Sequence, residues 1–251
     1  MTDTPASIRK GFARGTPGRW LGRVAILLGL ASLGLLAVAV WGFRLGNWPW
    51  PQAYGVAGWA TWLAGAGVVG ALVGLALWLR HRRGGVILVL LGLILSLPVA
   101  GLGTAFTLAA RLTPPINDIS TDTDDPPVFW FTATPSDYPA DNVAPQRAAY
   151  PEVRPLEMPL PLDKAFTAAL SLVEARGWEV LSDDPAERQI EAIARSRLFG
   201  FADEVAIRVT GTDSGSRIDM RSRSRLGQID RGANARRIDA FLSDLHLSAR
   251  D

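Results

Sequence analysis

Three uninterrupted apolar runs near the N-terminus constrain this chain more than any other feature: Val24 to Phe43, Gly55 to Leu79 and Gly85 to Ala110. Each supplies about the 20 residues that an α-helix needs to cross roughly 30 Å of hydrocarbon. No charged residue interrupts the centre of any run, so a proton relay or ion path has no evident carrier. The Ala37 to Ala39 spacing resembles a weak signal-peptidase site. Two further spans nevertheless favour reading the first run as an anchor.

Positive charge orients the spans, because Lys and Arg beside span ends are retained on the cytoplasmic side. Arg9, Lys10, Arg14, Arg19 and Arg23 precede the first run, and Arg80, Arg82 and Arg83 follow the second, whereas the first loop has only Arg44. An N-in hairpin followed by a third span places everything after Arg111 on the exported side. Seven of the nine Trp lie before residue 80, many near span ends as an interfacial belt requires. Ala66, Gly70 and Gly74 repeat at four-residue spacing in span two, which permits close packing between helices.

The two halves differ in charge. Up to Arg111 the chain holds ten bases and one acid, Asp3, which leaves 16 bases and 23 acids from Leu112 onward. The pI near 9.4 is therefore the average of opposite halves and does not indicate nucleic-acid binding. The chain has no cysteine and two histidines, His81 and His246. Thiolate chemistry, disulfides and iron–sulfur clusters are excluded by inventory, and a Ser-His-Asp triad or a His-rich metal centre nearly so. The acids of Thr121-Asp122-Thr123-Asp124-Asp125 lack the glycine and terminal glutamate of an EF-hand loop, so a metal site is not expected. No cofactor is indicated.

Residues 112–161 are rich in Pro, Asp and Thr, which favours extended chain. The interleaved Ile116, Ile119, Val128, Phe129, Trp130 and Phe131 are too apolar for a free tether, so part of this segment should lie against a folded domain. From Asp163 the period becomes helical, with Phe166, Ala169, Leu170 and Val173 on one stripe and Gly177 as C-cap. Strands are expected at Trp178–Leu181, Gln189–Ser196, Val205–Val209 and Arg217–Arg225, with Ser182 to Pro185 as the first turn. A last helix from about Arg231 carries Ile238, Phe241, Leu242 and Leu245 inward. Connections this short cannot make parallel crossovers.

The predicted fold class is thus a membrane protein with three N-terminal transmembrane helices plus a soluble α+β two-layer domain. That domain is an antiparallel four-stranded meander flanked by two helices. The divisions are a basic cytoplasmic N-terminus at 1–20, the anchor at 21–111, a Pro/Asp-rich linker at 112–161 and the exported domain at 162–251.

Three stretches carry a resemblance: INDISTDTDDPPVF, IEAIARSRLFGFADEVAIRV and IDMRSRSRLGQIDRGANARRIDAFL. In order and spacing they resemble the bacterial and plastid family called domain of unknown function 1499, over roughly Pro115 to Leu245. The resemblance implies an envelope or thylakoid-lumen setting and assigns no reaction.

Arg217, Asp219, Arg221, Arg223 and Arg225 alternate along one strand and so share a face. Three readings stand for this row. Guanidinium forks suit phosphate or carboxylate; Glu191, Asp203 or Glu204 on neighbouring strands could pair with them; or Asp118, Asp122, Asp124 and Asp125 could fold back onto them. A structural role is expected over a ligand site.

The anion- or partner-binding candidates are Arg221, Arg223, Arg225, Asp230, Asn234 and Arg237, with Asp230 also read as the cap of the last helix. Asn117, Asp118, Asp122 and Asp125 are the expected linker contacts. Ser222 and Ser224 have no base near them in sequence, and no catalytic residue is assigned.

The function expected is a membrane-anchored envelope protein whose exported domain binds a partner protein or an anionic small molecule. Alternatives are an enzyme acting on an envelope phosphate or lipid headgroup, and a structural subunit of a membrane complex. The partners expected are membrane lipid and an envelope protein, not nucleic acid. The location expected is the bacterial inner membrane, with the C-terminal domain periplasmic.

Overall fold

The computed structural model describes residues 17–81, 85–132 and 135–248. Arg9, Lys10, Arg14, Arg82 and Arg83, used above for orientation, lie outside these described residues. The chain divides into two compact units, 1–104 and 105–251.

The three apolar runs form helices α1 (Pro17–Arg44), α2 (Trp50–His81) and α3 (Val86–Leu112), each long and apolar enough to cross a membrane. Small residues let their backbones approach, as van der Waals packing between apolar helices requires. A Cβ on Gly92 of α3 would stand 2.6 Å from that of Ala25 on α1. In α2 the packed stripe is Ala60, Ala64, Gly67, Ala71 and Gly74. Of the expected repeat only Gly74 belongs to it, since Ala66 is exposed and Gly70 has open space beside it. Trp59 and Trp62 also face outward.

The second unit is built on one antiparallel sheet. Strands β3 (Glu179–Asp184), β4 (Gln189–Arg195), β5 (Ala202–Thr212) and β6 (Gly215–Ser224) follow one another as the expected meander. The sheet has six strands rather than four. Two three-residue strands, β1 (Asp118–Ser120) and β2 (Leu156–Met158), both pair with the other edge of β6. They come from the proline-rich segment, where runs of three residues carry no readable alternation. That segment also holds a short helix, α4 (Val143–Ala149).

Two local differences have simple causes. Ser182 to Asp184 remain in β3, and the turn follows at Pro185 to Arg188, where Arg188 takes a left-handed φ of 55°. Arg231 has φ 57°, incompatible with helix, so the last helix starts at Ala233.

Helix α5 (Leu162–Ala175) ends at Gly177, whose φ of 66° suits a residue without Cβ, and Trp178 N–H then donates to Val173 C=O at 3.2 Å. Helix α6 (Ala233–Ser248) buries Ile238, Phe241, Leu242 and Leu245 as its period predicts. These helices cover one sheet face, against Ile190, Ala192, Val205, Ile207, Ile218 and Met220. Ile119 of β1 joins the same core, fully buried.

Candidate functional site

The opposite sheet face carries the arginine row. Its centre is not open to solvent, because residues 121–132 and 135–138 run across it as a strap. Arg221 is fully buried and meets Asp118 at two points, Nε to Oδ1 at 2.9 Å and Nη2 to Oδ2 at 2.7 Å. Its Nη1 donates to Ser136 C=O at 2.8 Å, and its guanidinium lies between the rings of Phe129 and Tyr138, at 4.8 and 5.2 Å. Burial is the main reason that the Tyr138 hydroxyl is held well above its ordinary pKa, with the Asp118 charge adding to it.

Arg223 follows the cross-strand alternative. Its Nε donates to Glu204 at 2.9 Å, its Nη1 to Pro135 C=O at 2.6 Å, and Phe129 covers it at 4.4 Å. Arg225 shares the same Glu204 at 2.8 Å. Arg217 pairs with Asp122 at 2.7 Å and with Asp219 at 3.0 Å, whereas Arg208 reaches Asp125 at 3.0 Å. Asp124 turns away to Arg147. Glu191 is buried too, but it meets backbone: its two oxygens accept the N–H groups of Trp130 and Phe131 at 2.6 and 3.1 Å.

Linker docking and cross-strand pairing therefore occur together, on different arginines. Such burial is tolerable because the charges are paired and hydrogen-bonded. An anion arriving at Arg221 would have to displace a two-point carboxylate bond already made within the chain.

The remaining sequence candidates gather on the core face, at the start of α6. Asp230 accepts from the N–H groups of Gly232 and Asn234 at 2.8 and 2.9 Å, the capping role expected of it. Burial pushes its carboxyl pKa up against those bonds. Asn234 is fully buried and joins three elements: it accepts from Ser222 Oγ at 2.8 Å and donates to Ser224 Oγ and to Asn117 C=O, each at 3.0 Å. Arg237 donates to Ser222 Oγ at 2.8 Å and pairs with Asp203. Ser222 and Ser224 are thus bonded within a polar knot. Among the described residues no group of three or more His, Asp or Glu side chains is placed to hold a metal ion.

Clefts open to solvent in this unit. One, of about 540 Å³, sets Arg147, Arg154 and Arg217 against Asp122 and Asp124. Another, of about 570 Å³, has Arg176, Trp178, Glu179, Arg195, Arg197 and Asp244 in its wall. Here the Gly177 turn lays Trp178 on Phe241, with ring centroids 5.4 Å apart, and Arg176 lies over both rings. Arg176 pairs with Asp244 at 2.6 Å, and Arg195 with Glu179 at 3.0 Å. Sequence reasoning did not single out these residues. The available signals were a tryptophan directly after a C-cap glycine and the Arg195, Arg197 spacing at a strand end.

A family model described as "Protein of unknown function (DUF1499)" matches residues 118–245, half of the chain. The chain belongs to the DUF1499 family. Among curated proteins none matches it. The DUF1499 span opens on Asp118, the partner of Arg221, and closes on Leu245 of α6. The strap and β1 are therefore inside the family's unit, and so are the arginine row, the Asn234 knot and both clefts.

Proposed function

We propose that this DUF1499 protein is a membrane-anchored binding protein of the bacterial inner membrane. Helices α1 to α3 cross the bilayer with the N-terminus cytoplasmic, and the C-terminal domain on the periplasmic side holds an anionic small molecule in the Arg176–Trp178–Arg195–Arg197 cleft. One observation carries the choice of cleft: guanidinium groups and an indole face one open space, while Arg221 and Arg223 are buried in pairs.

Arg195 and Glu179 have side chains 57% and 56% exposed, and an ion pair so exposed is worth only about 0–1 kcal/mol. A phosphate or carboxylate can replace Glu179 at low cost, and the indole offers a flat apolar wall to whatever carries the anion.

Purified full-length protein should show a rise in melting temperature with inorganic phosphate or citrate. The Arg195→Gln, Arg197→Gln double variant should melt like the parent without the anion and lose that rise. A rise of equal size in the variant would remove the cleft from the proposal.

A further inference from the structure

We propose that one end of the sheet is a bilayer-docking surface, which takes up the headgroup region of an anionic membrane. This rests on the reading above that α1 to α3 span a bilayer, and goes beyond it by assigning lipid contacts to the folded domain.

The end in question is fixed by connectivity. β1 starts at Asp118, six residues after the last residue of α3, so this gap spans at most about 20 Å. Asp118 pairs with Arg223, Ser224 with Asp203, and Ala202 with Arg195. The start of β1 therefore lies at the same sheet end as the turn joining β4 to β5 and the loop leaving β6.

Those two connections carry exposed apolar side chains, Leu198 and Leu226. The strap adds Trp130 and Phe131. It advances over the face from Gln189, which bonds Val128 C=O, through Glu191 at Trp130 and Phe131, to Arg223 at Thr132. These four side chains are 41% to 60% exposed, and beyond Leu112 only Val128, held at the far end by Gln189, and Leu247 are further exposed large apolar side chains among the described residues. A buried carboxylate thus fixes the backbone of two aromatic residues that the core does not use. Exposed Trp and Phe on a held loop suit the interface between headgroups and acyl chains.

Charge has the same polarity. The connections at this end bring Arg197, Arg225 and Arg231, with Arg195 at the end of β4; the acids here are all engaged, Glu179 with Arg195, Glu204 with Arg223 and Arg225, Asp203 with Arg237, Asp118 with Arg221, and Asp230 buried as a cap. At the far end the turns bring Asp184, Glu187 and Asp213, while Arg188 is paired with Asp163. Basic groups beside apolar tips are what an anionic lipid surface attracts.

The absence of cysteine permits a clean test. Single variants Leu198→Cys, Leu226→Cys and Phe131→Cys, with Glu187→Cys as the far-end control, carry a nitroxide on the full-length protein, reconstituted in vesicles containing phosphatidylglycerol. Each must melt like the parent. Labels at 198, 226 and 131 should be shielded from a water-soluble nickel relaxant and reached by oxygen, and the label at 187 should behave as in water.

Labels equally open to nickel at all four positions would overturn the docking surface while leaving the anchor intact. Failure of the protein to enter vesicles would instead remove the membrane reading itself. Shielding found in native membranes but absent from pure lipid vesicles would assign the surface to a protein, and would also overturn the proposal.

Discussion

Asp118 and Arg221 meet through two hydrogen bonds of 2.9 and 2.7 Å although 103 residues separate them, and neither side chain is more than 2% exposed. Removing one partner leaves an unpaired buried charge, at a cost of roughly 3–5 kcal/mol. Arg221→Gln and Asp118→Asn should each lower the urea midpoint sharply. The double variant should lose less than the combined single losses, with coupling of about 0.5–3 kcal/mol. Additive losses would show that the pair does not act as a unit.

Phe241 is fully buried and stacks on Trp178. Phe241→Ala should cost about 3–5 kcal/mol, much of what holds a small domain folded. Leu247→Ala on the exposed side of the same helix should change the midpoint little. Equal effects of the two changes would contradict the facing of α6.

Asp122 gives a dependence on pH. Burial pushes its carboxyl pKa up, but the N–H groups of Asp125 and Asp124 and the charges of Arg217 and Arg208 together outweigh burial and hold it below the ordinary 3.8. The folded state then binds fewer protons than the unfolded one in this window. The stabilisation is present above pH 3.8 and is lost as pH falls through the folded value. Asp122→Asn should melt below the parent at pH 7, and the gap should close in acid. A gap of constant size down to the lowest pH at which the fold survives would refute the linkage.

Orientation is testable by fusion. Alkaline phosphatase attached at the C-terminus should be active, and the same enzyme fused after Arg80 should be inactive. Fluorescence of a cytoplasm-only reporter at the C-terminus would reverse the assignment.

Legibility in the sequence followed the strength of period. The stripe Ile238, Phe241, Leu242 and Leu245 was readable because it repeats over two turns of helix, and the meander because its strands alternate over seven or more residues in β4 to β6. β1 and β2 offer three residues each, and they become strands only because β6 presents an unpaired edge beside them. The arginine row could be placed on one face by alternation, yet which acid meets which guanidinium depends on the strap's path. Arg221 and Arg223 stand two residues apart and chose different partners for that reason. The cleft around Trp178 joins a helix end to two strand ends, and nothing in any one of those segments announces the others.

The distance along the chain between β1 and β6 also sets an order of events during synthesis. Asp118 leaves the ribosome with no partner, and at about 5–20 residues per second Arg221 follows some 5–20 s later. Until then the carboxylate must remain in water and Ile119 cannot be enclosed. The domain therefore closes from its last strand backwards, and a nascent chain halted anywhere before Arg221 carries an open edge and an unsealed core.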